Sequence, residues 1–188
     1  MRLFVAVRPS TEALAELGAL VDGLAASRAG ARLADRSRWH VTVAFLGEVP
    51  ENRVPDVSAA LTAAAGPAAP LRLRLAGGGR FGRGRFAVLW AGVDGATDGA
   101  LDAFAGLARS VRRELRRARL PYDDKPFRPH LTLARPGAKL GAAELTADVE
   151  LLRGFTGVAF PVDRLLLFRS ELGPQPSHHL LSEHLLTG

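Results

Sequence analysis

The sequence predicts an α+β fold made of two similar lobes that meet at a pseudo-two-fold axis. Strand-like and helix-like patterns alternate irregularly along the 188 residues, and no segment rich in Pro or Ser divides them. A short phrase also occurs twice, because HVTVAFLG at 40–47 and HLTLARPG at 130–137 share His, Thr, Ala and Gly at the same offsets. Arg38 and Arg128 match as well, each two residues before the His. The repeat indicates an internal duplication.

Local patterns place the elements of the first part of the chain. An apolar run predicts a strand at 2–8, and Ser10 is suited to cap a helix that continues to about residue 27. The first phrase predicts a strand at 39–46. Residues 53–65 predict a second helix, with Pro55 in its first turn, where proline is tolerated. The apolar face of the first helix consists of Leu14, Leu17, Val21 and Leu24.

A glycine-rich segment separates two strands in the middle of the chain. LRLRLAG at 71–77 alternates strictly, which predicts a half-exposed strand. GGGRFGRGR then turns the chain into a strand at 85–93. Because this segment leads into a strand and not a helix, it lacks the context of a dinucleotide-binding loop, and no GxxxxGK[ST] motif occurs. A nucleotide-binding doubly wound sheet is therefore not predicted.

The second half begins with an amphipathic helix at about 98–118. Its basic tail, RRELRRAR, is predicted to be a solvated face near the helix C-terminus. The inward residues of this helix are predicted to be Leu101, Phe104, Ala108, Val111 and Leu115. The second phrase predicts a strand at 129–135, and a helix follows at about 141–153. The tail predicts three strands, at 156–160, 162–169 and 178–186.

Charge and composition narrow the class of protein. The net charge is +6 and the sequence pI is about 11.0, which favours a polyanionic partner such as RNA, although an arginine-rich composition alone also raises the pI. No Cys occurs, which excludes disulfides, thiolate zinc sites and a Cys nucleophile. The apolar run at the N-terminus is broken by Arg8 and Pro9, so it is too short for a signal peptide or a membrane span. We expect a soluble, cytoplasmic protein.

The repeated phrase combines an imidazole with a hydroxyl. Residues i and i+2 of a strand point the same way, so His40 shares a face with Thr42, and His130 shares a face with Thr132. If both strands line one cleft, two imidazoles face each other, and one can be protonated while the other is neutral. Such a pair can act as general acid and general base. The two hydroxyls could hold the non-bridging oxygens of a phosphate.

Both phrases match the H-x-[ST]-x signature of the 2H phosphoesterases, and their surroundings resemble the RNA 2′,3′-cyclic phosphodiesterases, the LigT-like or ThpR branch. The resemblance includes the segments MRLFVAV, HVTVAFLG, RFGRGRFAVLWAGV, FRPHLTLAR and LLLFRSELG. It implies a single bilobal domain over residues 1–188, with two lobes of mainly antiparallel sheet and outer helices around a central cleft.

The resemblance also implies a reaction. It assigns His40 as the acid that protonates the leaving 3′ oxygen, His130 as the base that activates water, and Thr42 and Thr132 as phosphate ligands. The expected product is a 2′-phosphomonoester, formed without a metal or any other cofactor. Some members of the family also join tRNA halves through a 2′-5′ linkage, so the expected partners include tRNA fragments.

Two further residues occupy equivalent offsets in the phrases. Arg135 matches an Arg that looks like a phosphate contact in the family. In a regular strand, however, an offset of five from His130 points to the opposite face, so Arg135 reaches the cleft only if the strand twists, bulges or ends there. Phe45 is predicted to stack on a base or ribose, with simple core packing as the alternative.

Other interpretations remain open at the level of sequence. The chain could open a small cyclic phosphate such as a cyclic nucleotide, or bind RNA ends without catalysis. A metal site in the tail would need a carboxylate such as Glu183 beside His178, His179 and His184, so we expect these His to be exposed strand ends instead. The tail departs from the family near His179, where a Tyr is frequent. A monomer is expected.

Overall fold

The structure is a computed structural model that describes residues 1–173 and 176–188. Its strands are β1 (Arg2–Val7), β2 (Arg32–Leu33), β3 (Val41–Glu48), β4 (Leu71–Phe81), β5 (Val88–Gly95), β6 (His130–Arg135), β7 (Thr156–Val162), β8 (Arg164–Glu171) and β9 (Ser177–Leu185). Its α-helices are α1 (Thr11–Asp22), α2 (Ala25–Arg28), α3 (Val54–Ala65), α4 (Ala100–Arg117) and α5 (Ala142–Arg153). Short 3-10 turns lie at Arg36–Arg38, Glu51–Arg53 and Gly84–Phe86.

The strands form two antiparallel sheets, and each sheet contains one of the two phrases. The first has four strands in the order β3-β1-β8-β9, and the second has five in the order β2-β6-β5-β4-β7. The strand of the first phrase, β3, pairs with β1, and the strand of the second phrase, β6, pairs with β5. These sheets and their helices confirm the α+β class.

Each phrase strand contains a β-bulge three residues after its His. On β3, Val43 has no partner, because Val5 pairs with Ala44 and the next pair joins Ala6 to Thr42. On β6, the same irregularity skips Leu133 between the pairs made by Ala134 and Thr132. A bulge bends the strand and changes the direction of the side chains that follow it. The repeat therefore extends to an irregular feature of the backbone.

Apolar side chains from both sheets and from the helices form a continuous core. On the sheets, fully buried members include Leu3, Val41 and Leu131. On α4, Phe104 and Val111 are likewise fully buried, as the helical period predicts. None of the described helices is long and apolar enough to cross a membrane. The core thus comes from the periodic apolar positions that define each element.

The sequence predicts that the first helix continues to about residue 27, but the helix is shorter in the structure. It ends at Asp22, Gly23 forms its C-cap, and Leu24 is extended before the short α2 begins. The cause is distant in sequence, because the carboxylate of Asp148 on α5 accepts hydrogen bonds from the backbone N–H groups of Ala25 (2.6 Å) and Ala26 (2.9 Å). This buried acid caps α2, which satisfies donors that a new helix start leaves open.

Two features of the central strands also differ from the sequence prediction. β4 continues through the glycine-rich segment to Phe81, with an irregular register between Leu75 and Gly78, and the turn follows at Gly82. The short strand β2 was not predicted. It has only two residues, and it forms because it pairs with the end of β6.

We predict that Asp148→Ala lowers the free energy of unfolding by about 3 kcal/mol, because it leaves two buried N–H groups without their charged acceptor. Urea unfolding followed by circular dichroism measures this change. The control is Glu150→Ala on the same helix, which removes an exposed ion pair with Arg153 and should cost less than about 1 kcal/mol. Equal effects of the two substitutions would contradict the capping role.

Candidate active site

One cavity of about 240 Å³ lies between the two phrase strands and brings together five of the six predicted site residues. They are His40 and Thr42 from the first phrase, and His130, Thr132 and Arg135 from the second. The other described residues that line it are Arg32, Leu33, Ala34, Asp35, Arg38, Trp39, Ala134, Pro176 and His178. The duplicated phrases therefore face one shared cleft.

The backbone fixes the orientation of the His40 ring. Nδ1 of His40 lies 2.7 Å from the carbonyl oxygen of Arg38. A carbonyl can only accept, so Nδ1 carries the proton and donates it. In the neutral ring, Nε2 then holds a lone pair, and it accepts a hydrogen bond from the Thr42 hydroxyl at 3.1 Å. Nε2 is therefore the atom of His40 that can exchange a proton with a ligand.

The ring of His130 is held by the same kind of hydrogen bond to a backbone carbonyl. Its Nδ1 donates to the carbonyl oxygen of Arg128, also at 2.7 Å. This ring is nearly perpendicular to that of Phe81, with ring centroids 4.9 Å apart, and Phe81 stacks on Trp90 at 5.1 Å. Nε2 is again the ring nitrogen left to react. Both copies of the phrase thus present the same atom of the imidazole.

Burial changes the protonation of His40. Its ring packs against Phe4 (ring centroids 4.7 Å apart) and His178 (5.2 Å). The pKa of His40 is lowered from 6.5 to about 4, mainly by burial and in smaller part by the nearby charges of His178 and Arg8, although the hydrogen bond to Arg38 opposes the shift. At neutral pH, and without a bound anion, His40 is therefore neutral. A role as proton donor requires a bound anion that raises this pKa again.

Arg135 reaches the cleft because of the bulge and the end of its strand. The bulge at Leu133 breaks the alternation, so Thr132, Ala134 and Arg135 all line the cavity. Arg135 is the last residue of β6, and it pairs with Arg32 of β2. In a regular strand the side chain five residues after His130 would point away from the cleft. The bulge and the end of β6 explain why Arg135 nevertheless lines it.

Phe45 is the predicted site residue that the structure does not bring to the cleft. Its partly exposed ring packs against the apolar cluster that contains Phe4 and Phe168, and the guanidinium of Arg2 lies 4.7 Å from its centroid. It is not among the described residues that line the cavity. The packing alternative fits this position, whereas Phe81 and Trp90, beside His130, line a neighbouring apolar cavity of about 660 Å³.

The expectation that all three tail His are exposed strand ends is wrong for two of them. His178 lines the cleft beside His40. His184 is buried and hydrogen-bonds to the hydroxyls of Thr62 and Ser182, each at 2.9 Å. His179 lies at the surface, as expected, 3.3 Å from Glu171. The sequence carried no signal for His178, because the pairing of β8 with β9 decides its position.

The charges around the cavity favour an anion. Arg32, Arg38 and Arg135 line it, and Asp35 is the one carboxylate among its described lining residues. That carboxylate accepts hydrogen bonds from the backbone N–H (2.9 Å) and the hydroxyl (2.7 Å) of Ser37. Across the described residues, no group of three or more His, Asp or Glu side chains is arranged to hold a metal ion. The donor set suits a phosphate.

Comparison with known proteins shows the family. The chain matches the 2′-5′ RNA ligase superfamily over residues 9–174. It belongs to this superfamily. An RNA 2′,3′-cyclic phosphodiesterase from Thermus thermophilus is 36% identical over 193 residues, a match that covers 100% of this chain and 91% of the relative. One from Geobacillus stearothermophilus is 31% identical and covers 80% of this chain, but the match spans only 46% of that relative's length.

Solved structures agree with the fold. The crystal structure of TT0787 from Thermus thermophilus superposes with a TM-score of 0.78 at 33% identity, covering 100% of this chain and 99% of that one. The apo structure of Escherichia coli LigT has a TM-score of 0.76 at 22% identity, with 100% and 98% covered. These matches confirm the resemblance and the fold class predicted from the repeated phrases.

The lowered pKa of His40 predicts a dependence of stability on pH. Between pH 6.5 and 4 the unfolded chain binds more protons at this residue than the native protein, so the free energy of unfolding falls as the pH falls through this window. We expect the wild type to lose about 2–3 kcal/mol more than His40→Gln on going from pH 7 to 4, measured by urea unfolding. His179→Gln, which changes an exposed His, serves as the control. Equal pH dependence in the wild type and His40→Gln would contradict the burial argument.

Proposed function

We propose that this protein hydrolyses RNA 2′,3′-cyclic phosphate ends to 2′-phosphomonoesters, with His40 and His130 as an acid–base pair. The observation that carries the proposal is the shared cavity, in which two imidazoles with anchored Nδ1 atoms face one space lined by arginines. The relatives named as RNA 2′,3′-cyclic phosphodiesterases support it. LigT of E. coli, which shares the fold, was crystallised with 3′-AMP and with phosphate.

The proposed reaction needs two proton transfers. Nε2 of His130 takes a proton from water, and the water oxygen forms a bond to phosphorus. The bond from phosphorus to O3′ breaks, and Nε2 of His40 gives its proton to that oxygen. The products are a 3′-hydroxyl and a 2′-phosphate, and proton exchange with solvent restores both rings. Neither transfer uses Nδ1, which the carbonyls hold in place.

The remaining cleft residues hold the phosphate. The hydroxyls of Thr42 and Thr132 lie on the same faces as the two rings and can donate to the non-bridging oxygens. Arg135 supplies positive charge where negative charge increases in the transition state. The Thr42 hydroxyl donates a hydrogen bond to Nε2 of His40, so a bound phosphate would take over this donor.

Replacing either His of the proposed acid–base pair should strongly slow turnover. With an RNA oligonucleotide that ends in a 2′,3′-cyclic phosphate, and with chelator present, we expect wild-type protein to form the 2′-phosphate. His40→Ala and His130→Ala should each lower kcat by about 10²–10⁴-fold, because each removes one proton transfer. Product separation by chromatography against 2′- and 3′-phosphate standards measures rate and regiochemistry.

The matched control for this assay is His179→Ala, which removes an exposed imidazole outside the cleft and should retain wild-type rates. A wild-type protein that binds the oligonucleotide but does not convert it would indicate an RNA-end-binding protein. Conversion only of small cyclic nucleotides would point to a different substrate class. Loss of activity with chelator would exclude metal-independent catalysis.

A bound phosphate should raise the pKa of His40. We expect NMR titration of the imidazole to show a pKa near 4 in the free protein, and a rise of roughly one to three units when 2′-AMP occupies the cleft. The cause is the attraction between the phosphate anion and the imidazolium. A pKa that stays near 4 in the complex would leave His40 neutral at working pH, and the roles of donor and acceptor would have to be exchanged.

A further inference from the structure

A second, basic recess adjoins the catalytic cleft on the side of His40. It has a volume of about 370 Å³, and we define it by Arg8, Ser37, Arg38 and His178. His40 belongs to both cavities, so the recess opens directly beside the proposed proton donor. The proposed reaction uses His40 on the cleft side and leaves the other basic groups of the recess without a role.

Arg8 provides the exposed positive charge of this basic recess. It follows β1 directly, and its guanidinium donates a hydrogen bond to the carbonyl oxygen of Ser37. No carboxylate of the described residues lies within ion-pair distance of Arg8. The chain thus holds this arginine in place by its backbone contact and leaves its charge uncompensated.

Arg38 and His178 form the inner wall of the basic recess. Arg38 donates to the carbonyl oxygen of Pro176 at 2.8 Å, and its Nε is buried without a hydrogen-bond partner in the described part of the chain. The carboxylate of Asp35 offsets part of the charge, because its Oδ2 lies 3.6 Å from that Nε while its Oδ1 accepts from Ser37. With Arg8 and Arg38 against Asp35, the single carboxylate among its described lining residues, the basic recess carries a net positive charge, which suits a second phosphate.

We propose that the basic recess binds the RNA phosphate that lies one nucleotide before the cyclic end, that is, the phosphate on O5′ of the terminal nucleotide. The inference rests on the proposed function, since it places the cyclic phosphate in the adjoining cleft. The recess gives the substrate a direction, because the chain on the 5′ side leaves the cleft past His40 and Arg8. A terminal nucleotide without a 5′-phosphate lacks this contact.

The test compares two small substrates that differ only in this group, adenosine 2′,3′-cyclic phosphate and its 5′-phosphorylated form. We expect the wild type to prefer the phosphorylated form by about tenfold in kcat/KM, the size of a charged hydrogen-bond contact. Arg8→Gln should remove most of this preference, and Arg8→Lys should keep part of it. Arg116→Gln, which changes an exposed arginine on α4, is the control and should keep the full preference.

Binding provides a readout that does not depend on turnover. Calorimetry with 2′-AMP and with adenosine 2′,5′-bisphosphate should show the same preference for the second phosphate, and the same loss in Arg8→Gln. Equal affinity of the wild type for both compounds, or a preference that survives in Arg8→Gln, would overturn the inference. A protein that binds both compounds but hydrolyses neither substrate would instead refute the proposed function, so the two failures are distinguishable.

Discussion

Two backbone carbonyls determine which nitrogen of each cleft imidazole can exchange a proton with a ligand. The oxygens of Arg38 and Arg128 accept hydrogen bonds from Nδ1 of His40 and His130, and both contacts measure 2.7 Å. Each carbonyl leaves Nε2 as the one reactive nitrogen and restricts the orientation of the ring. The contact depends on the course of the backbone just before each strand. In the second copy, Pro129 favours an extended course, since a residue before proline avoids the helical region.

The duplicated framework carries two different environments. Both strands bulge at the third residue after the His, but β6 ends at Arg135 whereas β3 continues to Glu48. The early end brings Arg135 to the cavity, and the longer strand carries Phe45 away from it. Burial by Phe4 and His178 lowers the pKa of His40. The two similar phrases thus have different surroundings, because different residues pack around them.

Local patterns in the sequence were enough to predict most elements, the strands of the two phrases and the His and Thr residues of the cavity, whereas Arg135 was predicted from the family resemblance. What they could not supply depends on distant contacts. The start of α2 after the break is capped by Asp148, 123 residues from Ala25. His178 enters the cleft through the pairing of β8 with β9. Phe45 and Arg135 occupy the same offset, but β6 ends at Arg135 whereas β3 continues past Phe45 with a second irregularity in its pairing.

The account depends most directly on the tautomer of the two rings. Long-range ¹⁵N–¹H correlation spectra, recorded at a pH where both imidazoles are neutral, distinguish a proton on Nδ1 from one on Nε2. We expect both His40 and His130 to carry the proton on Nδ1, with Nε2 as the unprotonated nitrogen. A proton on Nε2 in either ring would mean that its carbonyl contact does not form, and the paired acid–base geometry would then be wrong.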